Sequence, residues 1–145
     1  MGLLHVLRVE MMIVYRDSIQ AVTADKLRGF FVGWQKVLSP EAHLKVLGAS
    51  DHVVLAIDRD TDKVVGFVTA ITDSVLAAYI PLLEVLPEYQ HRGIGTELMR
   101  QMLSKLEGLY MIDLVTGPEL EPFYARFGMS PAAAMIVRNR DAQIT

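Results

Sequence analysis

The spacing of apolar residues changes period several times along the chain, and each change marks an element. Residues 11–16 (Met-Met-Ile-Val-Tyr-Arg) are rich in strand formers. Over 24–34 the spacing turns helical, with Leu27, Phe30, Phe31 and Trp34 at i, i+3, i+4 and i+7 on one stripe. Ser39-Pro40-Glu41 is a helix start with Ser as N-cap and Pro in the first turn, and Gly48 supplies a stop, which predicts a short helix over 40–47. Two strands follow, 52–58 and 63–72, joined by the polar linker Arg59-Asp60-Thr61-Asp62, short enough for an antiparallel hairpin. A third apolar stretch, 76–86, ends at Pro87. Pro81 inside it has no N–H for a ladder, so either pairing is complete only beyond residue 81 or a bulge sits there.

The strongest helical pattern is 93–107. Ile94, Leu98, Met99, Met102, Leu103 and Leu106 form one apolar face, Arg100, Gln101, Ser104 and Lys105 lie opposite, and Gly108 ends it. Strand composition returns over 110–115. Thr116-Gly117-Pro118-Glu119 opens a further helix whose stripe is Leu120, Phe123, Tyr124 and Phe127, stopped by Gly128. A last strand is expected at 133–138. The predicted order, β-α-α-β-β-β-α-β-α-β, implies an α/β (α+β) domain with one mixed, mostly antiparallel sheet flanked by helices.

Composition narrows the chemistry. A chain of 145 residues with 52% hydrophobic and 21% charged residues can bury a core and suits a single domain. With no cysteine, disulfides and thiol chemistry are out. His5, His43, His52 and His91 show no paired ligand spacing, so no metal is expected. A net charge of -3 gives no attraction to phosphate backbones, so no nucleic-acid partner is expected. No run approaches a membrane span, the first nine residues do not read as a signal peptide, and Val6 stands where myristoylation wants Ser or Thr. The expected location is cytoplasmic. Residues 1–10 read as an N-terminal extension if Met11 or Met12 is the native start.

The informative segment is Pro87-Glu88-Tyr89-Gln90-His91-Arg92-Gly93-Ile94-Gly95-Thr96, between an apolar strand and the strong helix. A helix start leaves about four N–H groups without intrahelical partners and carries a partial positive charge. Glycines at 93 and 95 open that backbone to an anion, and Arg92 adds a full charge beside it. Glycines there also serve helix–sheet packing, so the pair does not decide alone. Leu98 breaks the dinucleotide pattern Gly-x-Gly-x-x-Gly, and the Gly-Lys-Ser/Thr of a phosphate loop is absent.

Gln90-x-x-Gly93-x-Gly95 after an apolar strand resembles the coenzyme A signature Gln/Arg-x-x-Gly-x-Gly/Ala of the GNAT superfamily of N-acetyltransferases. Val64-Val65-Gly66-Phe67 is similar to that family's strand before the cofactor strand. Phe123-Tyr124-x-x-Phe127-Gly128-Met129 is similar to its late helical element. These segments cover about residues 52–129.

The resemblance implies that acetyl-CoA is the acyl donor and that an amine, on a small molecule or a peptide, is the acceptor. It implies a splay between 82–86 and 110–115 that takes the pantetheine, with backbone groups of Val85 and Leu86 pairing its amides. It implies that the amides of Gln90, His91, Arg92, Gly93, Ile94, Gly95 and Thr96 hold the pyrophosphate. Glu84 becomes the expected base, directly or through water, because a charge within Leu82-Leu83-Glu84-Val85-Leu86 needs a partner or a cleft. Tyr124 becomes the expected acid for the leaving thiolate, although a tyrosine on an apolar stripe is otherwise a core residue with its hydroxyl at the rim. Trp34 and Asp113 are weaker expectations for acceptor contact. A non-catalytic acyl-CoA-binding domain of the same fold is the alternative, and a paired acid and base argue for the enzyme. The apolar segment 132–137 either finishes its own sheet or pairs across a homodimer interface.

Overall fold

The computed structural model describes residues 12–145. The proposed extension 1–10 and Met11 lie outside them. The sheet has five strands in the order β1 (Ile13–Arg16), β2 (His52–Asp58), β3 (Lys63–Thr72), β4 (Ala77–Val85) and β5 (Met111–Asp113). The first four pair antiparallel and β5 joins β4 in parallel. Among the described residues three helices flank it: α1 (Pro40–Ala49), α2 (Ile94–Lys105) and α3 (Glu121–Ala125). This is the mixed, mostly antiparallel α+β arrangement expected from the sequence. Among the described residues no helix is long and apolar enough to cross a membrane.

The sequence Val65-Gly66-Phe67 explains how both faces of β3 are covered. Successive side chains of a strand point to opposite faces. On one face a Cβ at Gly66 would meet Leu98 Cδ1 at 3.1 Å and Ile94 Cγ2 at 3.3 Å, so the glycine lets α2 sit close on the sheet. On the other face Phe67 packs against Phe30, Phe31 and His43. With both faces covered, Val64 through Ala70 is a continuous buried run.

The Ser39 hydroxyl caps α1 by accepting from the Ala42 N–H at 3.1 Å, with Pro40 in the first turn. α2 ends at Lys105, and the turn that follows closes at Gly108, which adopts φ +96°. At Pro81 the bulge is found: Thr69 opposes Leu82 and Ile71 opposes Tyr79, so Ala70 alone faces Ile80 and Pro81. The residue without an N–H therefore falls where the ladder is already interrupted.

Three expectations are corrected. The helix over 24–34 is only a 3₁₀ turn, Ala24–Leu27. Gly29, Phe31 and Gly33 take φ values of +95°, +67° and +80°, and a right-handed helix cannot pass through them. The helix opened by Thr116 is shorter than its stripe, a 3₁₀ turn Pro118–Leu120 followed by α3. No strand forms at 133–138, because a strand exists only beside a partner edge and this segment lies against none among the described residues.

Candidate active site

The turn before α2 is built to leave main-chain donors open. The Tyr89 hydroxyl donates to Asp58 Oδ2 at 2.5 Å, tying the 3₁₀ turn Pro87–Tyr89 to the end of β2. That bond, with burial, pushes the Tyr89 pKa up to about 12. The Arg92 guanidinium lies over the Tyr89 ring, 5.2 Å from its centroid, which places a cation beside the turn. His91 and Gly93 adopt positive φ, +64° and +81°. Left-handed residues in such a turn aim successive N–H groups into one concavity.

The first intrahelical bond of α2 runs from the Glu97 N–H to the Gly93 C=O at 3.1 Å, and no side chain caps the helix at Gly93. The N–H groups of His91, Arg92, Gly93, Ile94, Gly95 and Thr96 have no acceptor among the described residues. Gln90 differs from them. Its N–H donates to the Pro87 C=O at 3.3 Å and its side-chain amide to the Val85 C=O at 3.0 Å, so it holds the turn rather than offering a donor. A Cβ at Gly95 would meet only Phe123 Cζ at 3.7 Å and Val85 Cγ2 at 3.8 Å, ordinary contacts that leave the approach to this backbone open.

Beside the turn the sheet splits. β4 and β5 pair over three positions, from Ala77 opposite Met111 to Tyr79 opposite Asp113, after which β4 runs on to Val85 with no strand on that side among the described residues. A cleft of about 340 Å³ occupies the gap, walled by 80–85 of β4, by Leu114, Val115 and Thr116, and by Val32, Trp34, Gln90, Leu120 and Tyr124. The Leu86 N–H donates to the Val65 C=O at 2.8 Å and the Leu86 C=O accepts from the Tyr89 N–H at 2.9 Å. Leu86 is thus engaged inside the protein, its N–H spent on β3 and its C=O on the turn that follows. Antiparallel pairing alternates, so Glu84 also turns its N–H and C=O to β3, while Leu83 and Val85 turn theirs to the gap.

Glu84 and Tyr124 both line this cleft, and Trp34 lies at its mouth, 48% exposed. The Glu84 carboxylate accepts the Phe31 N–H at 2.7 Å on Oε1 and 2.9 Å on Oε2, and Oε1 also accepts the Val32 N–H at 3.2 Å. A carboxylate has about four lone-pair sites, so Oε2 keeps one free toward the cleft. Burial pushes the Tyr124 pKa above its usual value, which keeps the hydroxyl a proton donor. Asp113 does not join this group: it is exposed, faces Tyr79 in the ladder and lies outside the cleft wall.

Sequence reasoning missed Phe31 and Val32 as the groups that hold Glu84, and it missed Arg126. The Arg126 guanidinium donates to Thr96 Oγ1 at 3.3 Å and lies over the Phe123 ring, 5.8 Å from its centroid, which brings a second cation to the start of α2. Its only sequence signal is the i, i+3 spacing from Phe123.

Known proteins share this fold. The model of the acetyltransferase (GNAT) family matches residues 19–129. A crystal structure from Deinococcus radiodurans R1, provisionally classed as an acetyltransferase, superposes with a TM-score of 0.86 at 42% identity over 90% of each chain. A GNAT-family acetyltransferase from Streptococcus pneumoniae TIGR4 superposes with a TM-score of 0.71 at 28% identity, over 90% of this chain and all of that one. An aminoglycoside N-acetyltransferase in complex with CoA shares the fold, with a TM-score of 0.62 at 16% identity over 90% of this chain and 95% of that one. No curated protein matches the sequence. The matched family model spans most of the chain, from before α1 to beyond α3, and the chain belongs to the acetyltransferase (GNAT) family.

Proposed function

We propose that the protein transfers an acetyl group from acetyl-CoA to a primary amine. The carrying observation is the run of unpartnered N–H groups from His91 to Thr96, opening beside a cleft that holds both Glu84 and Tyr124. These residues suit the donor substrate. The six N–H groups and the positive end of α2 match a diphosphate, and Arg92 and Arg126 supply charge at its rim. The outward N–H and C=O groups of Leu83 and Val85 match the amides of pantetheine. The Val85 carbonyl has a second lone pair beyond the one used by Gln90.

Within the cleft, Glu84 accepts a proton from the attacking amine, directly or through a water on Oε2. The new C–N bond forms as the C–S bond of the thioester breaks, and Tyr124 gives its proton to the departing sulfur. The main-chain bonds from Phe31 and Val32 keep the Glu84 carboxylate in one orientation, so little reorganisation is needed during transfer.

The test is release of free CoA thiol from acetyl-CoA across a panel of amines that includes aminoglycosides, amino sugars, polyamines and peptide N-termini. Turnover that needs both the amine and Glu84 is expected. Tight CoA binding with no turnover on any amine would favour the non-catalytic reading.

A further inference from the structure

The cleft has two faces, and the register of β4 separates them. Residues directly opposite in an antiparallel ladder point to the same face of the sheet. Val85 lies opposite Gly66, on the face that α2 covers, and a Cβ at Gly95 would meet Val85 Cγ2 and Phe123 Cζ there. The open donors of 91–96 and α3 stand on that side. Glu84 lies opposite Phe67 and Leu82 opposite Thr69, so both point to the other face. There the loop after the first 3₁₀ turn brings Val32 and Trp34 to the cleft wall, with the Trp34 ring edge-on to the buried Phe31 ring at 5.2 Å. A donor held by the turn on the α2 side leaves this second face to the acceptor.

That face offers one charge set in apolar surface. Among the described residues that wall the cleft, Glu84 is the only charged side chain. Its carboxylate is already held by the N–H groups of Phe31 and Val32, and the free position on Oε2 takes one ammonium. Around it stand Leu82, Val32 and Trp34, the last two 62% and 48% exposed and so open to a ligand. A second ammonium would find no carboxylate in this wall and would lose its hydration without return. A phosphate would find no cation in it. Arg92 and Arg126 stand by the start of α2, and Lys36 Nζ is turned to the Arg140 carbonyl at 3.4 Å.

Resting on the acetyl-transfer reading, we propose that the acceptor is a primary monoamine with an aromatic or branched apolar body, its nitrogen on Glu84 and its body against Trp34, Val32 and Leu82. Polyamines and phosphorylated amines are the classes this wall rejects. Trp34 sets the preference. Its ring is held in place by Phe31, which itself packs against Phe67, so the apolar platform exists before the acceptor arrives and little side-chain freedom is lost on binding.

Thiol release at saturating acetyl-CoA, compared across phenethylamine, ethylamine, diaminobutane and phosphoethanolamine, tests it. The kcat/KM for phenethylamine is expected to exceed each of the others by ~10-fold or more. Trp34→Ala should raise the KM for phenethylamine ~10-fold while leaving its kcat, and both constants for ethylamine, within about 2-fold of wild type. Trp34→Phe should restore most of the preference, and a merely structural role for Trp34 would instead lower turnover of every amine alike. Trp34 is also the one tryptophan of the chain, so its emission reports binding without turnover. In the presence of CoA, phenethylamine should shift that emission and diaminobutane should not. Faster turnover of diaminobutane or phosphoethanolamine, or a phenethylamine preference that survives Trp34→Ala, would overturn the acceptor class and leave transfer standing. An emission shift with no thiol release on any amine would support the ligand class and overturn transfer. Neither signal with any amine would overturn both.

Discussion

The N–H of Phe31 reaches both oxygens of Glu84, at 2.7 and 2.9 Å, across 53 positions of sequence. Phe31 holds this orientation at φ +67°, a conformation that costs a bulky residue ~1–2 kcal/mol. Its ring offsets that cost. It is 2% exposed and packs edge-on against Trp34 and His43 and at a tilt against Phe67. A loop is thereby fastened to β4 one residue before its end, and the one carboxylate that the described residues place in the cleft wall acquires a fixed direction.

Glu84→Gln separates chemistry from binding. The amide keeps the shape of the side chain but turns an NH₂ toward one of the two main-chain donors and can no longer accept the amine's proton. The expected kcat is ~10²–10⁴-fold lower. Stability should fall by ~1–2 kcal/mol in urea unfolding, as charge-assisted bonds are lost. Affinity for CoA should stay within a few-fold of wild type.

Tyr124→Phe removes one oxygen from a side chain whose ring stacks edge-on against Phe123 at 4.9 Å. Packing should survive, with the melting temperature nearly unchanged. The kcat is expected to fall ~10²-fold or more, and least for acetyl thioesters with an acidic thiol, which needs no proton to leave. Burial raises the Tyr124 pKa, so in the wild type no basic limb from this group should appear below its ordinary value of 10.0.

His43 gives the fold a pH dependence of known sign. It is fully buried, neither ring nitrogen has a hydrogen-bond partner among the described residues, and burial lowers its pKa to about 4. The unfolded chain takes up a proton near 6.5 while the folded chain does not. Stability from the neutral ring is therefore complete above pH 6.5 and is lost as pH falls toward 4. His43→Leu removes the two orphaned nitrogens and the titration together. Urea unfolding should place this variant within ~1 kcal/mol of wild type at pH 7, on the scale of a tolerated core substitution. At pH 5 it should be the more stable of the two.

Much of the site is legible in the sequence because its signal is local. A helix start shows itself through Gly93, Gly95 and the amphipathic run from Ile94, and the structure places the open donors within that turn. The bulge at Pro81 is equally local, since proline declares that it cannot complete a ladder. What escapes is whatever depends on register or on distant chain. Which backbone groups of β4 face the gap follows from pairing with β3, and that pairing presents Leu83 and Val85 and turns Leu86 away. The stripe of Leu27, Phe30, Phe31 and Trp34 reads as a helix until three positive φ angles show that the aromatics are gathered by a loop. Arg126 reaches Thr96 only because α3 folds over the start of α2.

The central claim is that the N–H groups of His91 to Thr96 bind the diphosphate of CoA. Following the backbone amide resonances of a ¹⁵N-labelled sample during titration with CoA, and separately with pantetheine, tests it residue by residue. The account predicts that all six amides shift with CoA and stay in place with pantetheine, which lacks the diphosphate and should bind ~100-fold more weakly. Saturation with CoA that leaves those six resonances unmoved, while other residues respond, would contradict it.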